Sequence, residues 1–270
     1  MFSSIALGGG GVRGGIMIGG LASLAKQQPL TFPNGIYGCS AGSILATALA
    51  FNIPIENIRK MFDEDFNLSN VVPSLNLSSL TGFTQQKGLF SMDSFTETIV
   101  KAFDSQGVDL RNAVINDAPQ KLYILASNLT TRRPALLTGR VRVLDAICCS
   151  SCLPFVFHPQ VMYGNVFIDG GFYVTNIFKI VSPDTLVFQI GRRELSITAE
   201  NLKRMTITQY SATLYESAKT DTKPANVLFF KNDEISMLQE LTKEQKQALY
   251  DEGFAKASVF FAKRLADKLE

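Results

Sequence analysis

Ser4-Ile5-Ala6-Leu7-Gly8-Gly9-Gly10-Gly11-Val12-Arg13-Gly14-Gly15 is a short apolar run that breaks into glycine and leads on to Ile16-Met17-Ile18. An apolar run of this length, stopped by glycine, predicts a buried strand, and the apolar stretch from 16 to about 27 predicts a helix. The pattern then repeats. A strand ending at Ile36-Tyr37 passes through Gly38-Cys39-Ser40-Ala41-Gly42 into a helix rich in Ala, Leu and Ile over residues 41–51. Strand, glycine turn and helix, twice over, predict an α/β fold with a mostly parallel sheet.

Outward from this core the sequence gives helices at 94–103 and 142–151, and strands at 121–126, 166–168 and 186–190. Residues 62–92 hold Asn, Ser, Pro and Gly with scattered Phe and Leu and no sustained period, which predicts an irregular cover. Residues 242–269 carry Leu249, Phe254, Ala257, Phe260, Phe261 and Leu265 at helical spacing and are expected to lie on the sheet as a final amphipathic helix. No repeat or low-complexity linker divides residues 1–270, so one domain is expected.

Of the 270 residues, 46% are hydrophobic and 19% charged, which excludes global disorder. A net charge of +2 provides no basic field for nucleic acid. Four cysteines, with Cys148, Cys149 and Cys152 crowded together, do not form a secreted disulfide framework, and no second Cys/His pair has metal-ligand spacing. No secretory signal or membrane span is read. The Asn-x-Ser/Thr triplets at Asn67, Asn76 and Asn128 are therefore taken as incidental, and an intracellular place, cytoplasmic or peripheral to membranes, is expected.

Two turns carry chemistry. Gly9, Gly11 and Gly14 fit G-x-G-x-x-G between a strand and a helix. Glycines let backbone N–H groups approach a ligand, and a helix N-terminus favours negative charge, so the loop suits a pyrophosphate or an oxyanion. A dinucleotide site wants an acidic residue about 20 positions further on. The first acidic residue here is Glu56, which counts against nucleotide binding. Gly38-Cys39-Ser40-Ala41-Gly42 is a G-x-S-x-G, whose small flanking residues permit a sharp turn that presents the Ser40 hydroxyl at the head of a helix. A plain helix cap is the competing reading.

A serine nucleophile needs a base. The single histidine, His158, lies between Pro154 and Pro159 in an apolar run, ahead of the best acid candidate, contrary to the hydrolase order of serine, acid, histidine. Asp169, at the end of the apolar run Val166-Phe167-Ile168 and before Gly170-Gly171, is either a turn residue or a carboxylate acting directly on the serine.

These motifs together resemble the patatin-like phospholipases: the glycine turn with Arg13, the Gly-Cys-Ser-Ala-Gly elbow and the later Asp169-Gly170-Gly171. Ala126-Ser127-Asn128-Leu129, residues 146–159 and Gly253 extend the resemblance over most of the chain. A departure is Asn176-Ile177, where the family often has Asn-Pro.

The resemblance implies a three-layer α/β/α fold and a serine–aspartate dyad, Ser40 as nucleophile and Asp169 as base, with no metal or cofactor. It also implies an oxyanion hole at the N–H groups of Gly10 and Gly11. Arg13, Gly9, Gly14, Gly38, Gly42, Gly170 and Gly171 are the supporting positions. The implied substrate is an acyl ester of a phospholipid or lysophospholipid, met in transient contact with a membrane surface. Phe66, Leu75, Leu77, Leu80, Phe83, Leu89 and Phe90 are candidates to line an acyl groove. A catalytically silent acyl-binding or scaffold protein on the same fold is the alternative.

Overall fold

The computed structural model describes residues 1–75, 77–191, 197–217 and 224–266. β1 (Ser4–Leu7) passes through the glycine turn into α1 (Gly15–Ala25), and β2 (Gly35–Cys39) turns at Ser40 into α2 (Ala41–Ala50). Leu7 pairs in parallel with Gly38, so both strands end at one level. α3 (Ile55–Glu64), α4 (Leu68–Val71), α5 (Leu77–Gln86), β3 (Gly88–Phe90) and α6 (Asp93–Asp104) follow. The 62–92 stretch is thus a string of short elements, and the polar residues and Pro73 between them interrupt any long period.

Next come β4 (Leu122–Asn128), β5 (Arg133–Leu137), α7 (Val143–Ser151), β6 (Phe155–Phe157), β7 (Gln160–Met162) and β8 (Asn165–Ile168). β9 (Leu186–Ile190), α8 (Ala199–Arg204), α9 (Ile207–Ser217), β10 (Val227–Phe230) and α10 (Lys243–Ala266) complete the order.

The main sheet runs β10-β9-β1-β2-β4-β8-β7, with β5 also on β4. Its first five strands are parallel; β5 and β8 run antiparallel to β4, and β7 antiparallel to β8. The chain is therefore a mixed α/β fold with a mostly parallel central sheet flanked by helices. Strand alternation sends Ile5, Leu7, Ile36 and Ile124 into the larger core, shared with α1, α2, α7 and α10. Ala6, Cys39, Leu125 and Val187 face the other way, where Val174 and Ile177 cover them.

α10 departs from expectation. It lies along α1 rather than on the sheet, because the two backbones touch through glycine. A Cβ on Gly253 would sit 1.8 Å from the Ile16 carbonyl oxygen, and one on Gly19 would sit 1.9 Å from that of Tyr250. Leu249, Ala257 and Phe261 are buried there, whereas Leu265 is exposed. Leu269 lies outside the described residues. Among the described residues no helix is long and apolar enough to cross a membrane.

The register around β4 positions the site. β2 pairs with β4 as far as Cys39 opposite Leu125. β5 occupies the other edge of β4, so β8, arriving antiparallel with Ile168 opposite Ser127, takes the edge that β2 has vacated. Two strands thus meet head to head on one edge, and the residues that follow them, Ser40 and Asp169, converge beside Ala126.

Candidate active site

Ser40 has φ 54 and ψ −128, a conformation that costs a β-carbon-bearing residue roughly 1–3 kcal/mol and persists only where its surroundings over-determine it. They do so here. The Ser40 N–H donates to Ser150 Oγ at 2.8 Å, and Ser150 Oγ donates to the Leu125 carbonyl at 2.6 Å. The Ser40 carbonyl accepts from the Ser43 N–H at 2.7 Å and from Ser43 Oγ at 2.6 Å. Gly42 is required by packing, since a Cβ there would lie 2.1 Å from the Leu7 carbonyl oxygen. The elbow exists because β1 and the start of α2 touch backbone to backbone.

The first glycine turn rises beside it. The Cβ that Gly9 lacks would stand 3.0 Å from Ser40 Cβ and 3.7 Å from Ser40 Oγ. Gly11 adopts φ +58 and packs on the Met237 carbonyl, which accepts the Val12 N–H at 3.0 Å. Among the described residues no acceptor takes the N–H of Gly10 or Gly11. Arg13 is fully buried and its guanidinium donates to the Asn232 carbonyl at 3.5 Å. It ties the turn to the loop after β10 and is not part of the cavity wall.

Asp169 is 1% exposed. Its N–H donates to the Cys152 carbonyl and that of Gly170 to the Ser150 carbonyl, both at 3.0 Å. The end of α7 therefore holds both candidate residues: Ser150 grips the elbow with its hydroxyl and the aspartate loop with its carbonyl. Asp169 Oδ1 accepts the Gly171 N–H at 2.9 Å and also the phenol of Tyr215, which reaches in from α9. Burial first, and the Asp169 charge second, push the Tyr215 phenol well above its ordinary pKa, so it stays a donor. A side chain on Gly171 would occupy the Tyr215 hydroxyl, with 2.0 Å between Cβ and Oη.

Ser40 and Asp169 line one cavity of ≈ 130 Å³, whose remaining wall is almost wholly apolar. Ile44, Leu45 and Ala48 of α2 form one side; Met61 of α3, with Phe62 and Phe66 of the cover, forms another. Ser151 Oγ is buried in the lining without a partner among the described residues.

Of the expected groove residues Phe66 lines the cavity. Leu89 and Phe90 are buried in the core, Phe83 packs against Phe155, and Leu75 is exposed. The side chains of Leu77 and Leu80 lie outside the described set, as does Asn76. His158 is not in the cavity wall; its N–H donates to the Phe90 carbonyl. Cys39, Cys148, Cys149 and Cys152 are all buried. Burial, with the Asp145 charge second, pushes the Cys149 thiol up to about 12, and burial raises Cys148 and Cys152 too. These are packing thiols. No group of His, Cys, Asp and Glu among the described residues could hold a metal ion.

Ser150, Ser151 and Tyr215 were not legible beforehand. Their roles depend on contacts between distant segments, 110 residues apart for Ser40 and Ser150. The only local signal was a helical apolar spacing around Tyr215.

The sequence model of the patatin-like phospholipases matches residues 5–181. The uncharacterized protein R571 of Acanthamoeba polyphaga mimivirus is 26% identical over an alignment of 175 positions that covers 62% of this chain and 57% of that protein. The fold is similar to that of VipD from Legionella pneumophila, with a TM-score of 0.59 and 15% identity over 97% of this chain and 67% of VipD. It is also similar to a structure of the ExoU–SpcU complex from the type III secretion system of Pseudomonas aeruginosa. The TM-score there is 0.50, with 15% identity over 98% of this chain and 52% of the matched one.

Proposed function

The chain belongs to the patatin-like phospholipase family, and from that premise we propose that it is a lipid acyl hydrolase working through a Ser40–Asp169 dyad. Asp169 takes the proton from Ser40 Oγ as the oxygen attacks the ester carbonyl. The oxyanion that forms is held by the N–H groups of Gly10 and Gly11, each such donor contributing roughly 3–4 kcal/mol. The α2 N-terminus, aimed at the same point, adds to this. Collapse of the tetrahedral intermediate expels the alcohol, which takes the proton back from Asp169. Water then gives its proton to Asp169, attacks the acyl-serine, and releases the fatty acid as Ser40 regains its hydrogen.

What supports this chemistry is the convergence of the strained Ser40 and the buried Asp169 in one apolar cavity, beside the Gly10 and Gly11 N–H groups, which no acceptor among the described residues takes. Tyr215 and the Gly171 N–H occupy one carboxylate oxygen, which fixes the plane of the carboxylate. The apolar lining supports an acyl chain as the part of the substrate that enters, and so a phospholipid or lysophospholipid ester as its class.

The test is fatty-acid release from mixed phospholipid vesicles in the presence of a chelator, comparing wild type with Ser40→Ala and Asp169→Asn. Release by the wild type alone is expected, with each variant lowered about 1,000-fold or more. Activity that survives Ser40→Ala refutes the dyad. A folded wild type that releases nothing from vesicles or from a small activated ester points instead to a silent acyl-binding protein.

A further inference from the structure

The cavity beside Ser40 has an open end and a blind one. Along α2 its lining residues lose exposure with distance from the serine: Ala41 and Ile44 are half-buried, Leu45 is 8% exposed and Ala48 is 1% exposed. After the short connection 51–54 the chain enters α3, whose lining residues show the reverse gradient. Ile58 is 2% exposed, Met61 is 3% exposed, and Phe62 is half-buried. Phe62 reaches the start of α1, for its ring lies 2.5 Å from where a Gly15 Cβ would stand. Ile58, one turn earlier, lies deeper. Both helices therefore close the cavity at the same end.

Helix geometry gives the depth. Ala48 follows Ser40 by two turns of α2, which places the blind end about 12 Å from the serine along the helix axis. An extended hydrocarbon chain advances roughly 1.25 Å per bond, so about eight to ten carbons fill that depth. The volume of ≈ 130 Å³ is close to that of a cavity that admits one benzene ring, ~150 Å³, and leaves room for one chain and no branch. An occupant with its carbonyl at Ser40 and its far end in this pocket is a straight acyl chain of limited length. The chains of a bilayer leaflet fill about 15 Å, more than the pocket offers.

We infer that Ala48 and Ile58 are a chain-length gauge: they form the floor of a blind pocket that fits medium-length acyl chains and stops longer ones. This rests on the hydrolase reading for the carbonyl at Ser40, but the gauge is also read by binding alone. Longer chains enter when the cover, half-buried at Phe66, Val71 and Val72, moves aside.

The experiment uses the full chain with straight-chain nitrophenyl esters, from butanoate to hexadecanoate, kept below their micelle concentrations. For the wild type, kcat/KM is expected to rise about fourfold per added carbon up to about eight to ten carbons, and then to fall. Ala48→Leu raises the floor and is expected to lower the decanoate-to-butanoate ratio of kcat/KM about 50-fold. Ile58→Ala deepens the pocket and is expected to move the break about two or three carbons longer. The ratio is decisive because any effect on Ser40 or Asp169 is common to both esters and cancels. Should Ala48→Leu fail to fold, Ile58→Ala decides alone.

Binding supplies the second readout, with straight-chain carboxylic acids displacing a fluorescent anilinonaphthalene sulfonate. Affinity is expected to stop rising at the same length and to shift in the same directions in the two variants. A wild type that cleaves and binds every length on one rising line, or a break that neither variant moves, overturns the gauge and leaves the hydrolase reading standing. A wild type that cleaves no ester yet binds the acids with the expected break refutes the hydrolase reading and leaves the gauge standing.

Discussion

The floor of the cavity and its cover are built from different interactions. On the floor, the elbow and the aspartate loop are fixed by backbone hydrogen bonds to buried neighbours, with Ser150 serving both. In the cover, α4 buries no residue and is held by a few polar contacts. Lys246 Nζ, from α10, donates to the Phe62 carbonyl at 2.8 Å and to the Asp63 carbonyl and Asn67 Oδ1, both at 2.9 Å. Glu240 accepts the Ser69 N–H at 2.7 Å, and Thr98 Oγ1 donates to the Asn70 carbonyl at 3.1 Å. Residues that must keep a strained geometry are over-determined, whereas the segment beside the apolar cavity has few buried anchors and is expected to open more readily.

Substitutions on each side test that division. Gly42→Val forces a side chain into the Leu7 carbonyl and is expected to cost about 3 kcal/mol or more, lowering the melting temperature by roughly 6–12 °C. Unchanged thermal unfolding would mean that the elbow is not a rigid part of the floor. Lys246→Met removes the common donor of three oxygens and is expected to cost about 2–3 kcal/mol. Its distinguishing effect is local. Hydrogen exchange should quicken over 62–71 and stay unchanged around 38–43, and equal acceleration in both would erase the contrast.

Tyr215→Phe keeps the ring and deletes one hydrogen bond to the aspartate, so ester turnover is expected to fall about tenfold with the fold retained, as for loss of a charge-assisted bond of ~1.5 kcal/mol. A variant as fast as wild type would make Tyr215 a packing residue only.

A smaller effect concerns pH. The Tyr215 phenol is raised by burial and by the Asp169 charge, so the native state favours its neutral form. That contribution to stability is complete below the ordinary tyrosine value of about 10 and is lost as pH rises toward the raised native value. In an absorbance titration of the seven tyrosines, one ionisation should be delayed until alkaline unfolding, and Tyr215→Phe should remove it. A Tyr215→Phe titration identical to wild type would contradict the buried hydrogen bond.

Elements with a local signature were legible in the sequence: both strand–turn–helix repeats, the strand before Asp169, and the turn at Ser40. Gly38 and Gly42 announced a sharp turn, and the structure shows what makes them necessary: Gly38 lies against Ser43 and Ala46 of α2, and Gly42 against the Leu7 carbonyl of β1. What depends on contacts between remote segments was not legible. Ser150 sits in a run of small residues that reads as ordinary helix packing, and Tyr215 follows a half-exposed stripe with no motif. Strands of three residues, such as β6 and β7, are too short to carry a period. The amphipathic pattern of α10 could identify a buried face, but not that its partner would be α1. That pairing came from Gly19 and Gly253, residues without side chains to pattern.

The most direct measurement is mass spectrometry of the intact protein and its peptides after exposure to a fluorophosphonate, from whose phosphorus an activated serine displaces fluoride to leave a stable phosphonyl ester. A single adduct on Ser40 is expected, absent in Ser40→Ala and formed at least about 100-fold more slowly in Asp169→Asn. An adduct on another serine, or labelling of Ser40 at an undiminished rate without the aspartate, would contradict the dyad.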